Sequence, residues 1–491
     1  MQTGHCMNFV RATALAVMAL WGGAFGPSQT HTSTGVASHA ASLPALAFVE
    51  APVIRGGPPE SRFPQGSELA ILEPGAGQPV LRKLTPHFFA VADPRVSFDG
   101  KTLLFSGQTS SGGRWQIWTV GVTSDRAQQL SHCPGDCLLP AFLPRGEIVY
   151  TSIQGSGVRR ESELYVSDDD GAHAHPITFG PGDYEVEAVL RSGRLLISAK
   201  WPLLPGSYEA GDRSLYILRP DGSGLRSLRD DKTPGVRRAS ATELANGAIL
   251  FIQKPKAGGE RASGDLEWIL PGHLHATAVA EMRGQFESAT QASAGRLIVA
   301  ERDSTGERRG FALYLIDPTR KAAPVLVYRN SQMSAVQPAV LAPYPAPLEY
   351  PSILHPQEAT GRVLCLDAYL SQDFSGEHLP GRIVDVRVIA LRRSGKREQV
   401  LGDAPVEKDG SFYATIPADM PVRFELIGPA GRILQAQQSW IWTRNGEDRA
   451  CLGCHESHAL APPDHWPIVL RRFDMPIALG VTSTTRKPPQ H

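Results

Sequence analysis

The chain has no surplus of either charge. Lys+Arg and Asp+Glu each number 49, so the formal net charge is zero. Nucleic acid and acidic membrane surfaces are drawn by a one-signed field, and none is available here, so no nucleic acid is expected among the partners. Also missing are a Ser-His-Asp order, a phosphate-cradling glycine loop, a His-Glu-x-x-His run and a paired carboxylate set. The chain therefore offers no signature from which to assign a catalytic residue. Beyond residue 25, no apolar run is long enough to span a bilayer.

The apolar run that does occur, residues 12–25 behind Arg11, is short for a span and gives way to a polar, Ser/Thr-rich stretch at 27–41. That is the layout of a secretory signal, with initiation at Met1 or Met7. An uncleaved anchor is the competing reading. Residues 1–40 are thus expected to be signal peptide and exported leader. The mature protein is expected to be periplasmic or secreted, with no membrane span after signal removal. In such an oxidising compartment Cys133 and Cys137 are close enough in sequence to close a small disulfide loop, although both also fit as buried thiols. Cys365, in the apolar stretch 363–366, reads as a core residue.

Gly (48) and Pro (40) are abundant, which suits many tight turns between short strands. A strand pattern recurs at 68–72, 116–120, 163–167, 214–218, 266–270 and 312–316, with starts 48, 47, 51, 52 and 46 residues apart. Ahead of each lies a second apolar run, at 46–49, 102–105, 147–150, 194–197, 248–251 and 296–299. Six such units predict a six-bladed β-propeller over residues 45–345, each blade burying one sheet face against its neighbour. The run 46–49 is expected to pair with the last blade and close the ring. A Pro-rich linker then covers 346–359. Alternating stretches at 362–369, 384–391, 411–416 and 422–427 predict a small β-sandwich over 360–440. The fold class is mainly β throughout.

Residues 441–491 contain Cys451-Leu452-Gly453-Cys454-His455, the Cys-x-x-Cys-His signature of covalent c-type haem. The spacing has a chemical reason. Two thiols reach the two vinyl groups of one porphyrin edge, and the adjacent His turns onto the iron. Two other readings compete: a redox or structural Cys pair with an incidental His, or half of a zinc site with His458. One covalent haem c is the leading expectation, with Cys451 and Cys454 as thioethers and His455 as iron ligand. His465 and Met475 are the candidates for the sixth position, and an open iron is the alternative. Arg444 and Arg449 are candidates to pair with propionates, which favour Arg's forked donors. Trp440 and Trp442 suit either a porphyrin face or a sandwich strand. His273 and His275 suit either a metal or an ordinary turn.

The blades resemble the periplasmic Tol-type propellers. Farther on, Gly410-Ser411-Phe412, Ile416-Pro417-Ala418, Ser439-Trp440, Gly446-Glu447 and the haem motif resemble, in order and spacing, the middle region of the hydrazine synthase alpha subunit and its relatives. That resemblance implies a haem-bearing, electron-handling and multi-subunit setting. It also implies a limit. The family's catalytic haem takes a Tyr four residues beyond the motif His; this chain has Ala459 there and no Tyr after Tyr413. The synthase carries two haem motifs and is longer, whereas this chain has one, so hydrazine synthesis is not expected. The expected function is an exported single-haem electron-transfer protein with a redox partner protein and the propeller as scaffold. A haem-dependent oxidoreductase with an open iron, and a non-enzymatic propeller binding module, are the rivals.

Overall fold

The computed structural model describes residues 34–35, 43–52, 63–75, 79–155, 161–201, 213–228, 236–255, 263–273, 275–279, 285–292, 295–302, 310–319, 322–370, 381–392, 397–437, 439–453 and 464–480. The apolar and turn-punctuated repeat folds as the second and third strands of successive antiparallel meanders. Thr102–Gln108 with Gln116–Gly121 is one such pair, and Leu195–Lys200 with Ser214–Leu218 is another. Each meander adds an inner strand and a short outer one, which makes six four-stranded units among the described residues, one of them extended by Thr34–Gly35 as a fifth strand. Two of them are joined by a single bridge between Ser162 and Asp183. The inner strands pack on one another in a closed cycle through Ala90–Val96, Asp136–Leu143, Asp183–Val189, Val236–Glu243, Phe286–Gln291 and Met333–Val340. This ring is a β-propeller.

Closure differs in detail from the expected pairing. Leu46–Pro52 does not join the sheet containing Phe311–Ile316. It pairs with Met333–Val340, so the two ends of the propeller sequence share one sheet. Physically the closure is a zipper of backbone hydrogen bonds between distant segments, and the ring cannot open without breaking it.

Every inner strand also bulges at the same level. Register shifts fall around Asp93, Leu139, Glu187, Ser240, Glu287 and Gln337. Asp93, Leu139, Ser240 and Gln337 take φ of 57°, 56°, 53° and 54°, a conformation that non-glycine residues adopt at a cost of about 1–3 kcal/mol each. Bonds between neighbouring units offset that cost. Asp93 N–H donates to Gln337 Oε1 (2.7 Å), Leu139 N–H to Asp93 Oδ2 (3.3 Å) and Val186 N–H to Thr151 Oγ1 (3.1 Å). Ala241 N–H donates to Glu187 Oε2 (2.9 Å), Ser240 Oγ–H to Glu287 O (3.2 Å) and Gln337 N–H to Ser288 Oγ (2.9 Å). The bonds run full circle.

After Val340 the chain crosses the propeller surface as a Pro-rich connector without strands. It then builds a sandwich of two four-stranded sheets. One contains Thr360–Cys365 and Phe412–Pro417 in its centre; the other centres on Asp385–Arg392 and Val422–Ile427. Val363, Cys365, Phe412 and Ala414 meet Val386, Val388, Phe424 and Leu426 in one core. Strands Asp448–Cys451 and Ile477–Ala478 occupy the two edges of the first sheet, so these described parts of 441–491 belong to the sandwich. No helix among the described residues is long and apolar enough to cross a membrane.

Candidate functional site

The cysteine motif leaves the sandwich from its sheet edge. Asp448–Cys451 runs parallel to Thr360–Cys365, with Cys451 opposite Cys365. Arg362 and Asp448 pair at 2.5 Å (Nε–Oδ1) at the start of the strand. Past Cys451 the backbone stays pinned, since Leu366 N–H donates to Cys451 O (3.0 Å) and Asp367 N–H to Leu452 O (2.9 Å). A Cβ on Gly453 would lie 2.5 Å from Leu370 O and 2.8 Å from Leu370 Cβ. Only glycine allows that approach. Cys451 itself is half-buried. Cys454 and His455, with His458 and Ala459, lie outside the described residues.

Met475 lies just ahead of Ile477–Ala478, the strand at the opposite edge of the same sheet. The cross-strand row runs Cys451, Cys365 and Phe412, and the far edge joins one step on, where Ala414 pairs with Ile477. Met475 is half-buried and His465 exposed. Between them runs a short 3-10 turn, Ile468–Arg471, anchored to the hairpin at Asp409. Asp409 Oδ2 accepts from Ile468 N–H (2.8 Å), Oδ1 accepts from Ser411 Oγ–H (2.6 Å), and Ser411 Oγ accepts from Val469 N–H (3.2 Å). Burial pushes the Asp409 carboxyl up, but the bonds from Ser411 and Ile468 outweigh it and hold the group below the usual carboxylate range. Trp466 and Phe473 flank this turn as exposed large apolar side chains.

Arg444 and Arg449 are occupied elsewhere. Arg444 bonds to Asp221 O, pairs with Asp419 (Nε–Oδ1 2.7 Å) and lies over the Phe179 ring at 4.6 Å. Arg449 donates to Leu225 O (2.6 Å) and Trp442 O (3.5 Å). Both grip the propeller turn at 219–225. Trp442 does the same through Nε1–H to Gly222 O (2.9 Å), and Glu447 Oε1 accepts from Gly224 N–H (2.9 Å). Gly222, at φ +81°, is required there, because a Cβ would sit 2.2 Å from Ile177 O. This grip went unread in the sequence. Its one local signal is the Arg219-Pro220-Asp221-Gly222 turn, which reads equally well as a plain hairpin.

Trp440 and Trp442 are both buried, Trp442 among propeller residues and Trp440 beneath Arg423. His273 and His275 are exposed on a turn, and no group of three metal-ligating side chains occurs among the described residues. Cys133 and Cys137 form a disulfide. Cys365 is buried in the sandwich core.

The arrangement suits a covalent porphyrin on chemical grounds. A half-buried thiol sits at a rigid strand end, a half-buried thioether sits beside the opposite edge of that sheet, and two exposed aromatic side chains lie on the intervening segment.

Comparison with known proteins agrees on architecture. The family "Hydrazine synthase alpha subunit middle domain" matches residues 380–456. The curated hydrazine synthase subunit alpha of Kuenenia stuttgartiensis is 27% identical over 107 residues, which cover 21% of this chain and 13% of that protein. Hydrazine synthase from the same organism superposes with a TM-score of 0.76 at 17% identity, covering 88% of this chain and 72% of the other. TolB from Acinetobacter baumannii gives a TM-score of 0.43 at 14% identity over 60% of this chain and 66% of TolB. The chain is similar to the hydrazine synthase alpha subunit, matching its middle domain over residues 380–456 and sharing its fold with a hydrazine synthase chain, and it spans only a small part of the curated subunit's length.

Proposed function

We propose that the chain is an exported electron-transfer protein carrying one covalent haem c on Cys451 and Cys454, with His455 as axial ligand. A haem bound there would supply a one-electron iron couple. The observation that carries the reading is the Cys451-Leu452-Gly453 strand end, locked to the sheet edge, with Met475 just ahead of the strand at the opposite edge of the same sheet. Met475 would be the sixth ligand in this reading, and the exposed Trp466 and Phe473 would be the side chains available to shield a bound ring from water. The Cys133–Cys137 disulfide fits an oxidising compartment. Arg444 and Arg449 hold the propeller in place and leave the propionates to solvent or to other donors. The propeller then presents a fixed surface beside the redox centre, to which a partner protein or further subunits dock.

Expression in a host that matures c-type cytochromes tests this directly. Intact mass should rise by one haem, and the reduced protein should show a c-type spectrum that fails to bind carbon monoxide. Met475→Ala should turn the low-spin spectrum high-spin and open the iron to carbon monoxide. Carbon monoxide binding by the unmodified protein would instead favour an oxidoreductase with an open iron. No added mass would leave a propeller binding module.

A further inference from the structure

Several arginines on this chain are matched with carboxylates. Arg213 pairs with Asp183, Arg362 with Asp448, Arg387 with Asp403 and Arg472 with Glu407. The outer part of the fourth propeller sheet breaks that habit. Arg194 precedes the strand Leu195–Lys200, Arg219 follows Ser214–Leu218, and Arg226 opens Arg226–Ser227, so three guanidiniums stem from adjacent strands. Two of them converge on Tyr350 of the linker. Arg194 Nη2–H donates to Tyr350 Oη (2.9 Å), and the Arg194 and Arg219 Cζ atoms lie 5.1 and 5.0 Å from its ring centroid. Among the described residues, no carboxylate pairs with any of the three. Burial, then the charges of Arg194 and Arg219, lowers the Arg226 guanidinium below its ordinary range. The bond from Arg194 and the neighbouring charges likewise hold the Tyr350 phenol down.

We propose that Arg194, Arg219, Arg226 and Tyr350 form a binding site for a phosphoryl oxyanion, either free or as a lipid headgroup. Three like charges on adjacent strands, two of them on one phenol ring, repel one another, and a dianion with several acceptor oxygens relieves that repulsion. Forked guanidiniums match such oxygens with two bonds each, and the strength of charge-assisted bonds favours a phosphate monoester over a singly charged carboxylate. Tyr350 Oη accepts from Arg194 and keeps its own proton to donate. Because Tyr350 belongs to the linker, a bound anion also ties the linker to the sheet whose 219–225 turn the sandwich grips. The site stands apart from the haem reading.

The test uses the intact protein at matched ionic strength. Calorimetric titration with inorganic phosphate should show saturable binding, at least tenfold tighter than chloride, and Arg226→Gln should weaken it tenfold or more. Tyr350→Phe should weaken it too; the Arg226 side chain is only partly covered, and unchanged urea midpoints and circular dichroism of its variant show that the fold is intact. Flotation with vesicles containing phosphatidic acid, against phosphatidylcholine alone, distinguishes the sources. Binding of free phosphate assigns a soluble ligand, and Arg226-dependent binding confined to phosphatidate vesicles assigns a headgroup. Absence of both, or binding indifferent to Arg226→Gln, overturns the site.

Discussion

Asp409 fastens the C-terminal segment to the sandwich by capping the amide of Ile468 and orienting Ser411 toward Val469. Losing such a cap costs about 1 kcal/mol. Asp409→Ala should therefore speed hydrogen exchange at the Ile468 and Val469 amides roughly fivefold while leaving the propeller amides unchanged. The pH sign follows from the lowered carboxyl. A depressed folded value means the stabilisation is whole above the unfolded carboxylate range, near pH 4, and drains away as pH falls through the folded value. Exchange at Ile468 should rise on acidification in the unmodified protein and stay flat in Asp409→Ala. Parallel acid profiles for the two proteins would show that the segment is held by packing alone.

Among the elements, the bulged inner strands carry the ring. Gln337 and Asp93 bond reciprocally across the closure, with Gln337 Nε2–H donating to Asp93 Oδ1 (3.0 Å) and Asp93 N–H to Gln337 Oε1 (2.7 Å). Gln337→Ala removes both and should lower the unfolding free energy by about 1–3 kcal/mol, read from the urea midpoint. A midpoint within error of the parent would show that solvent substitutes freely at this level. These strands were also the least legible in the sequence. Second and third strands advertise themselves, as in 102–105 and 116–120, because both their faces are buried between neighbouring sheets. Inner strands carry Asp93-Pro94, Leu139-Pro140 and Gln337-Pro338 at their bulges, which breaks the period-two pattern and reads as a turn. Outer strands such as His175–Pro176 and Thr277–Ala278 are two residues long and leave no pattern at all. In the sandwich, Arg397–Pro405 is mostly exposed and charged, so its hydrogen bonds to Asp385–Arg392 had no apolar signature. The cysteine motif was legible as a spacing. The pairing of Cys451 with Cys365 was not, since that depends on strand order.

At the scale of the molecule, the two domains meet through side chains that belong to both. Trp442 comes from the sandwich side yet packs with Tyr184 and Phe179 of the propeller, at ring separations of 5.9 and 6.2 Å. Its indole N–H and the Arg444 and Arg449 guanidiniums bond to backbone carbonyls of a single propeller turn. Trp442 is nine residues ahead of Cys451, so the grip also fixes where the motif strand starts. A shared core makes unfolding of either domain expose apolar surface of the other, which predicts one calorimetric transition for the unmodified protein. Truncating a buried Trp costs about 3–5 kcal/mol, and here that loss falls on the interface. Trp442→Ala should therefore split the transition in two, with the sandwich melting first because it has the smaller core. Limited proteolysis should then cut between residues 341 and 359. A single, merely lowered transition in Trp442→Ala would mean that Arg444, Arg449 and Glu447 couple the domains without the indole, and Arg444→Ala in that background should then produce the split.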